Sequence, residues 1–211
     1  CQNTIRRNVL YHDKLQNDSR FKVSLTRDKD ESVSLEDRSN KANHVKADLF
    51  LSIHVNSSPD TRARGVEFYF QNQLPPDEES MYLASQENAL ATESSEKATE
   101  KNELTTIVDD LKNNHRIWAS SQLAKSLISQ WDISKKSRSR SIRQAPFHVI
   151  SQVSMPSNLV ELGFISQPKE AAQLAANIKA VQEQLKNEQK DHEKKIKELN
   201  GQLAVLKRNA G

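Results

Sequence analysis

Two short segments carry residue types suited to hydrolytic chemistry. Leu51-Ser-Ile-His-Val-Asn56 places a histidine, His54, at the end of an apolar run that reads as a buried strand. Leu159-Val-Glu-Leu-Gly-Phe-Ile-Ser166 does the same with a glutamate, Glu161. A neutral imidazole is a common metal ligand, and a carboxylate set in an apolar strand is a candidate general acid or base. Open α/β sheets hold their ligands at the C-terminal ends of strands. One metal-ligand type and one acid/base type at two such ends outline a metallohydrolase. The plainer readings are a core histidine at 54 and a structural acid at 161, although an unpaired buried carboxylate is costly to keep without a role. His12, His44, His115, His148 and His192 have no partner at metal-ligand spacing and read as structural or surface residues.

The elements that must position these two residues follow from hydrophobic periodicity. Ile5, Val9, Tyr11 and Leu15 form a loose helical stripe, and Phe21-Lys-Val-Ser-Leu25 alternates as a strand. Leu35, Ala42 and Val45 return to helical spacing, residues 48–54 are strand-like, and Gly65-Val-Glu-Phe-Tyr-Phe70 alternates again. Pro75-Pro76 stops that strand and leads into a helical stretch over 78–91. Residues 92–102 lack an apolar anchor and read as a mobile loop. Leu104, Ile107, Val108 and Leu111 share one helix face, and Leu123, Ala124, Leu127, Ile128 and Trp131 share another. Phe147-His-Val-Ile150 and Asn158-Leu-Val-Glu161 are the last strand candidates. Strands alternating with helices predict an α/β fold with a twisted, mostly parallel sheet flanked by helices.

From Lys169 no proline or glycine interrupts the chain until Gly201. Leu174, Ile178, Val181 and Leu185, then Ile196, Leu199, Leu203 and Leu206, are spaced by threes and fours, with a polar break around Glu188 and His192. This is coiled-coil spacing, so 171–211 is expected to be a long helical tail that projects roughly 60 Å at about 1.5 Å per residue. It serves self-association, docks on a partner, or stands as a single exposed helix.

Taken in order, several motifs resemble those of a known family. They are Val23-Ser-Leu-Thr-Arg27, Leu35-Glu-Asp-Arg38 with Ala42-Asn43, Ala47-Asp-Leu-Phe-Leu-Ser-Ile-His54-Val-Asn56, Gly65-Val-Glu67, Arg140-Ser-Ile-Arg-Gln-Ala145 with Phe147, and Met155-Pro-Ser-Asn-Leu-Val-Glu161-Leu-Gly-Phe-Ile-Ser166. From about Thr4 to Glu170 the chain resembles the zinc-dependent N-acetylmuramoyl-L-alanine amidases, bacterial cell-wall hydrolases. The resemblance implies an amidase-like catalytic domain over 1–170 in a cell-envelope or periplasmic protein that acts on peptidoglycan. It implies a Zn²⁺ cofactor held by two histidines and one glutamate, with His54 as one of those histidines. Glu161 is then the catalytic glutamate rather than a ligand. The bond cut joins the lactyl group of N-acetylmuramic acid to the L-alanine of the stem peptide.

Residues 75–118 resemble the regulatory insert of the division-associated amidases, in which a helix covers the zinc site until an activator protein displaces it. Ala84-Ser-Gln-Glu87-Asn88 matches the segment that provides the plugging ligand, which makes Glu87 an autoinhibitory metal ligand; a solvated helix residue is the plainer reading. The departure lies at the front. The family's Asp-Pro-Gly-His-Gly motif, and the glutamate that opens its first helix, have no counterpart in the chain. Aligned backwards from Thr26, that glutamate falls just before Cys1. The expectation is a domain missing its first strand, with weak zinc binding and no activity as written, while the complete protein is an amidase. The alternative is an inactive peptidoglycan-binding or coiled-coil interaction remnant.

Composition bounds these readings. With 211 residues and 35% hydrophobic content the chain fits one domain plus an appendage. No apolar run is long enough for a transmembrane helix. Cys1 is the single cysteine, so no internal disulfide forms; it reads as a truncation point in preference to a lipidated start. A formal net charge of +3 implies no dedicated nucleic-acid surface. The five basic residues of Lys135-Lys-Ser-Arg-Ser-Arg-Ser-Ile-Arg143 could meet acidic cell-wall polymers or form a short RNA-binding arm. They read first as a solvated loop, because no aromatic interleaves to stack bases.

Overall fold

The computed structural model describes residues 15, 18–29, 31–60, 62–72, 74–89, 103–131 and 140–209. Four strands, β1 (Phe50–Asn56), β2 (Val66–Phe70), β3 (Arg140–Gln144) and β4 (Ser157–Phe164), form one sheet in the order β1-β4-β2-β3. β1 pairs parallel with β4 and β2 parallel with β3, while β2 and β4 run antiparallel. The sheet is therefore mixed, with two parallel pairings of three, in line with the expected α/β architecture.

Alternation along the strands separates two faces. Val66, Phe68, Val160 and Leu162 form an apolar cluster with Ala124 and Leu174, and Ile53, Val55, Leu127, Ile128, Trp131 and Ile142 pack against it. The helices on this side are α3 (Glu103–Gln130) and α5 (Pro168–Asn209). Phe68 meets Trp131 edge-on with centroids 5.8 Å apart. The other face presents Phe50, Leu159 and Tyr69 to α1 (Leu35–His44), α2 (Glu78–Asn88) and the short α4 (His148–Ser151), through Leu35, Ala42, Ala84, Val149 and Ile150. Burial on both sides explains why every residue of β4 is buried.

Local sequence sets the helix starts on the site-bearing face. Ser34 caps α1 by accepting from Asp37 N, and Asp77 caps α2 by accepting from Ser80 N just after Pro75-Pro76. At the end of β4, Gly163 has φ +142°, a conformation that suits glycine. A Cβ there would lie 3.1 Å from Glu170 Oε2. Glu170 accepts from Phe164 N and Gly65 N, tying the end of β4 to the entry of β2.

Several sequence expectations are corrected. Residues 21–25 join no strand, because no neighbour offers them a ladder among the described residues. Phe147-His-Val-Ile150 is not a strand: Phe147 is the N-cap residue of α4, and its carbonyl accepts from Ile150 N and Ser151 N. The end of the basic run is not a loop, since Arg140–Gln144 pairs along β2 and its alternation turns Ser141 and Arg143 to one face. The two apolar groups lie on the single helix α3, except Trp131, which follows its last residue, and Ile107, Val108 and Leu111 are exposed. The long C-terminal helix is as expected: α5 runs unbroken through the polar stretch around Glu188 and His192, and every side chain from 189 to 202 is exposed. The stripe over 5–14, the loop at 92–102 and the basic residues 135–138 lie outside the described residues.

Candidate active site

Strand register brings the two candidate residues together. His54 is the Cα partner of Glu161 across β1 and β4, and Glu161 is the partner of Glu67 across β4 and β2. Glu67 in turn pairs with Ser141 of β3. One row, His54–Glu161–Glu67–Ser141, thus crosses the whole sheet, and the adjacent row on the same face is Ser52–Leu159–Tyr69–Arg143. Beyond His54 the β1–β4 register shifts, so the ladder is irregular just past the site.

Glu161 is 1% exposed, and its Oε2 has no hydrogen-bond partner among the described residues. Burial pushes its carboxyl well above the usual carboxylate range, and the nearby Glu87 and Glu67 carboxylates push it the same way. A carboxyl in that state retains its proton to higher pH than an exposed one.

Both ring nitrogens of His54 are engaged. Nε2 lies 3.0 Å from Ser52 Oγ and Nδ1 lies 3.2 Å from Glu87 Oε2. Glu87 comes from the last turn of α2, which lays this carboxylate over the end of β1. The hydrogen bond to His54 holds the Glu87 carboxyl below its ordinary value against partial burial, and the charges of His54 and Arg38 add to that. Asn88, the next residue, fastens the same end of the helix: Nδ2 donates to Pro146 O at 2.9 Å and Oδ1 accepts from His148 N at 2.7 Å.

Sequence reasoning left Glu67 and Arg143 without roles. Glu67 Oε2 accepts from Tyr69 Oη at 2.8 Å and lies 3.5 Å from Asn56 Nδ2. Its Oε1 lies 3.3 Å from Ser141 Oγ and 3.2 Å from Arg143 Nε. Burial, followed by the charge and hydrogen bond of Glu67, raises the Tyr69 hydroxyl far above its ordinary range, so it serves as a donor. The alternation Val66-Glu-Phe-Tyr-Phe70 was the available signal, since it puts Glu67 and Tyr69 on the face opposite Val66, Phe68 and Phe70.

The fit to a zinc ion is incomplete. Among the described residues no three or more His, Cys, Asp or Glu side chains are gathered so as to hold a metal ion. A site of two histidines and one glutamate is not made by His54, Glu87 and Glu161 as they stand, and no chemical step is assigned to a metal.

The chain matches the N-acetylmuramoyl-L-alanine amidase family over residues 5–191. It belongs to that family. It is 34% identical over 148 residues to the N-acetylmuramoyl-L-alanine amidase AmiA of Escherichia coli, covering 69% of this chain and 51% of that protein. The chain therefore spans about half the length of the curated amidases it matches first. In fold it is similar to the amidase AmiC2 of Nostoc punctiforme, with TM-score 0.50, 22% identity, and coverage of 82% of this chain and 72% of that one. It is similar also to the CwlD amidase of Clostridioides difficile, solved in complex with the GerS lipoprotein, with TM-score 0.51, 15% identity, and coverage of 82% and 75%. No described helix of this amidase-family chain is long and apolar enough to cross a membrane.

Proposed function

We propose that the fold serves hydrolysis of the amide between N-acetylmuramic acid and L-alanine in peptidoglycan, with Glu161 as the general acid and base. The observation that carries this reading is the register pair His54–Glu161, in which a buried carboxyl whose Oε2 has no hydrogen-bond partner among the described residues sits beside an imidazole of the edge strand. Glu161 takes the proton of the attacking water and delivers it to the departing amine of L-alanine. Its raised proton affinity suits both transfers. The second reading, a remnant that only binds, draws no support from relatives named as amidases.

The cofactor is proposed to be zinc, with His54 as one ligand through Nδ1 and with Ser52 orienting the ring from Nε2. The other ligands are not among the described residues. Glu87, whose Oε2 lies 3.2 Å from His54 Nδ1, then serves as a further ligand of the same metal in the resting state. Residues 75–118 form the regulatory insert, and a division-associated activator protein displaces α2; residues 171–211 form an appended tail suited to self-association. The setting is the cell envelope, in the periplasm, during daughter-cell separation.

The test compares residues 1–211 with a chimera carrying the preceding amidase segment of Escherichia coli AmiA, by zinc titration and by release of new amino termini from purified peptidoglycan. Residues 1–211 alone are expected to bind zinc weakly and release none. The chimera is expected to bind about one zinc and turn over, and Glu161→Gln is expected to slow it by about 10²–10⁴-fold. A zinc-loaded chimera that keeps its rate with Glu161→Gln would sink the role of Glu161. Robust turnover by residues 1–211 would sink the incomplete metal site.

A further inference from the structure

Arg143 is held from behind by the sheet and in front by a helix, with 26% of its side chain exposed. Its Nε faces Glu67 Oε1 at 3.2 Å and Ser141 Oγ at 3.3 Å, both on the site row. Its Nη1 reaches out of the sheet to α2, 2.6 Å from Glu79 Oε2 and 3.3 Å from Asp77 Oδ1. Nη2 makes no hydrogen bond among the described residues. Glu79 and Asp77 are both about half exposed, each with 53% side-chain exposure, so these partners come from a helix surface and not from the core. The helix that puts Glu87 on His54 thus also puts two further acids on Arg143.

We propose that Arg143 is a carboxylate-binding subsite for the acidic stem peptide, and that Glu79 of α2 fills it as a stand-in for the substrate's carboxylate. This rests on the peptidoglycan reading given above and adds to it the residue that reads the stem peptide. A guanidinium whose Nε is fixed presents Nη1 and Nη2 as a fork matched to one carboxylate. Arg143 lies two strands from β4, about 10 Å at roughly 4.8 Å per strand. An extended peptide covers that span in about three residues at roughly 3.3 Å each. A stem peptide whose first amide lies at Glu161 and which crosses β2 toward β3 brings a carboxylate beyond L-alanine to Arg143. α2 and the peptide then compete for the same fork, so Glu79 tunes affinity while Glu87 covers the histidine.

The experiment is calorimetric binding of two muramyl tripeptides to the 211-residue chain, one with free carboxylates beyond L-alanine and one with those groups amidated. Wild type is expected to prefer the free acid. Glu79→Ala, at an exposed helix position, is expected to tighten the free acid several-fold and leave the amide unchanged. Arg143→Ala is expected to weaken the free acid about tenfold, the loss of one charge-assisted pair, and to abolish the preference. Arg143→Lys is expected to restore part of it. Should Arg143→Ala fail to fold by circular dichroism, Glu79→Ala decides the matter alone. Equal affinities for the two peptides in wild type and in Glu79→Ala overturn the subsite and leave the peptidoglycan reading standing. No binding of either peptide to any variant, Glu87→Gln included, overturns both.

Discussion

On one face of the sheet Val66, Phe68, Val160 and Leu162 form an apolar cluster with Ala124 and Leu174, and Trp131 packs against it. On the other, a few ångströms away through the same backbone, His54, Glu161 and Glu67 stand in a row with Tyr69 and Arg143 beside them. β4 contributes to both: Val160 and Leu162 point one way and Glu161 the other. The first face lowers the free energy of the fold by removing hydrocarbon from water. The second spends part of that gain on polar groups that folding alone does not need. Most are satisfied, as Glu67 is by Tyr69 and Arg143, whereas Oε2 of Glu161 has no partner among the described residues. A buried acid with an unsatisfied oxygen between well-paired neighbours is a candidate for the proton transfer proposed above.

The comparison is broken most directly on the apolar face. Phe68 is 1% exposed and packs edge-on against Trp131. Phe68→Ala is expected to cost about 3–5 kcal/mol, from lost burial plus the cavity left behind. Urea unfolding of the full chain measures it. A cost below about 1 kcal/mol would mean that this face is not where stability resides.

On the site face the expected sign reverses. Above about pH 4.3 an unfolded glutamate releases its proton, while the folded Glu161 keeps its own until its raised pKa is reached. In that window the folded state binds more protons than the unfolded state, so this group lowers stability as pH rises. Glutamine cannot ionise. Glu161→Gln is therefore expected to be more stable than wild type at pH 7, because the amide carries no ionisation that burial opposes. The difference between the two proteins should shrink toward pH 4. A variant that is less stable at pH 7 would show that Glu161 has a partner that supports the fold.

The two faces were unequally legible in the sequence. Apolar alternation marks strands whichever face they pack, so β1, β2 and β4 could be read, and His54 and Glu161 stood out as polar residues inside them. β3 could not: Arg140-Ser-Ile-Arg-Gln144 carries a single apolar residue, Ile142, because its other face is built from Ser141 and Arg143. Phe147-His-Val-Ile150 misled for the opposite reason, being apolar enough for a strand while its backbone bonds locally into one helical turn. Glu67 was missed because its role lies in register, opposite Glu161 on a strand nearly a hundred residues away. The long C-terminal helix was legible from the absence of proline and glycine between Lys169 and Gly201. Its polar centre did not break the helix, since lysine and glutamate favour helix as well as leucine does.

The finest test sets two carboxylates of the site face against each other. Glu87 and Glu161 lie close enough for the charge of one to raise the other's proton affinity, yet their own shifts run in opposite directions. The folded Glu87 carboxyl is held low by His54, so its contribution is present above its unfolded value and is lost as pH falls through its folded one. Glu87→Gln should cost about 0.5–1.5 kcal/mol at pH 6, the size of one hydrogen bond, and close to nothing near pH 3. It should also remove one of the charges that push Glu161 up, narrowing the window over which Glu161 destabilises the fold. Melting curves of wild type, Glu87→Gln and Glu161→Gln between pH 3 and pH 7 separate the two effects: Glu87→Gln departs from wild type downward and Glu161→Gln upward as pH rises. If both variants departed in the same direction, the two acids would share one environment, and the contrast between a carboxyl held low by His54 and one pushed up by burial would be lost.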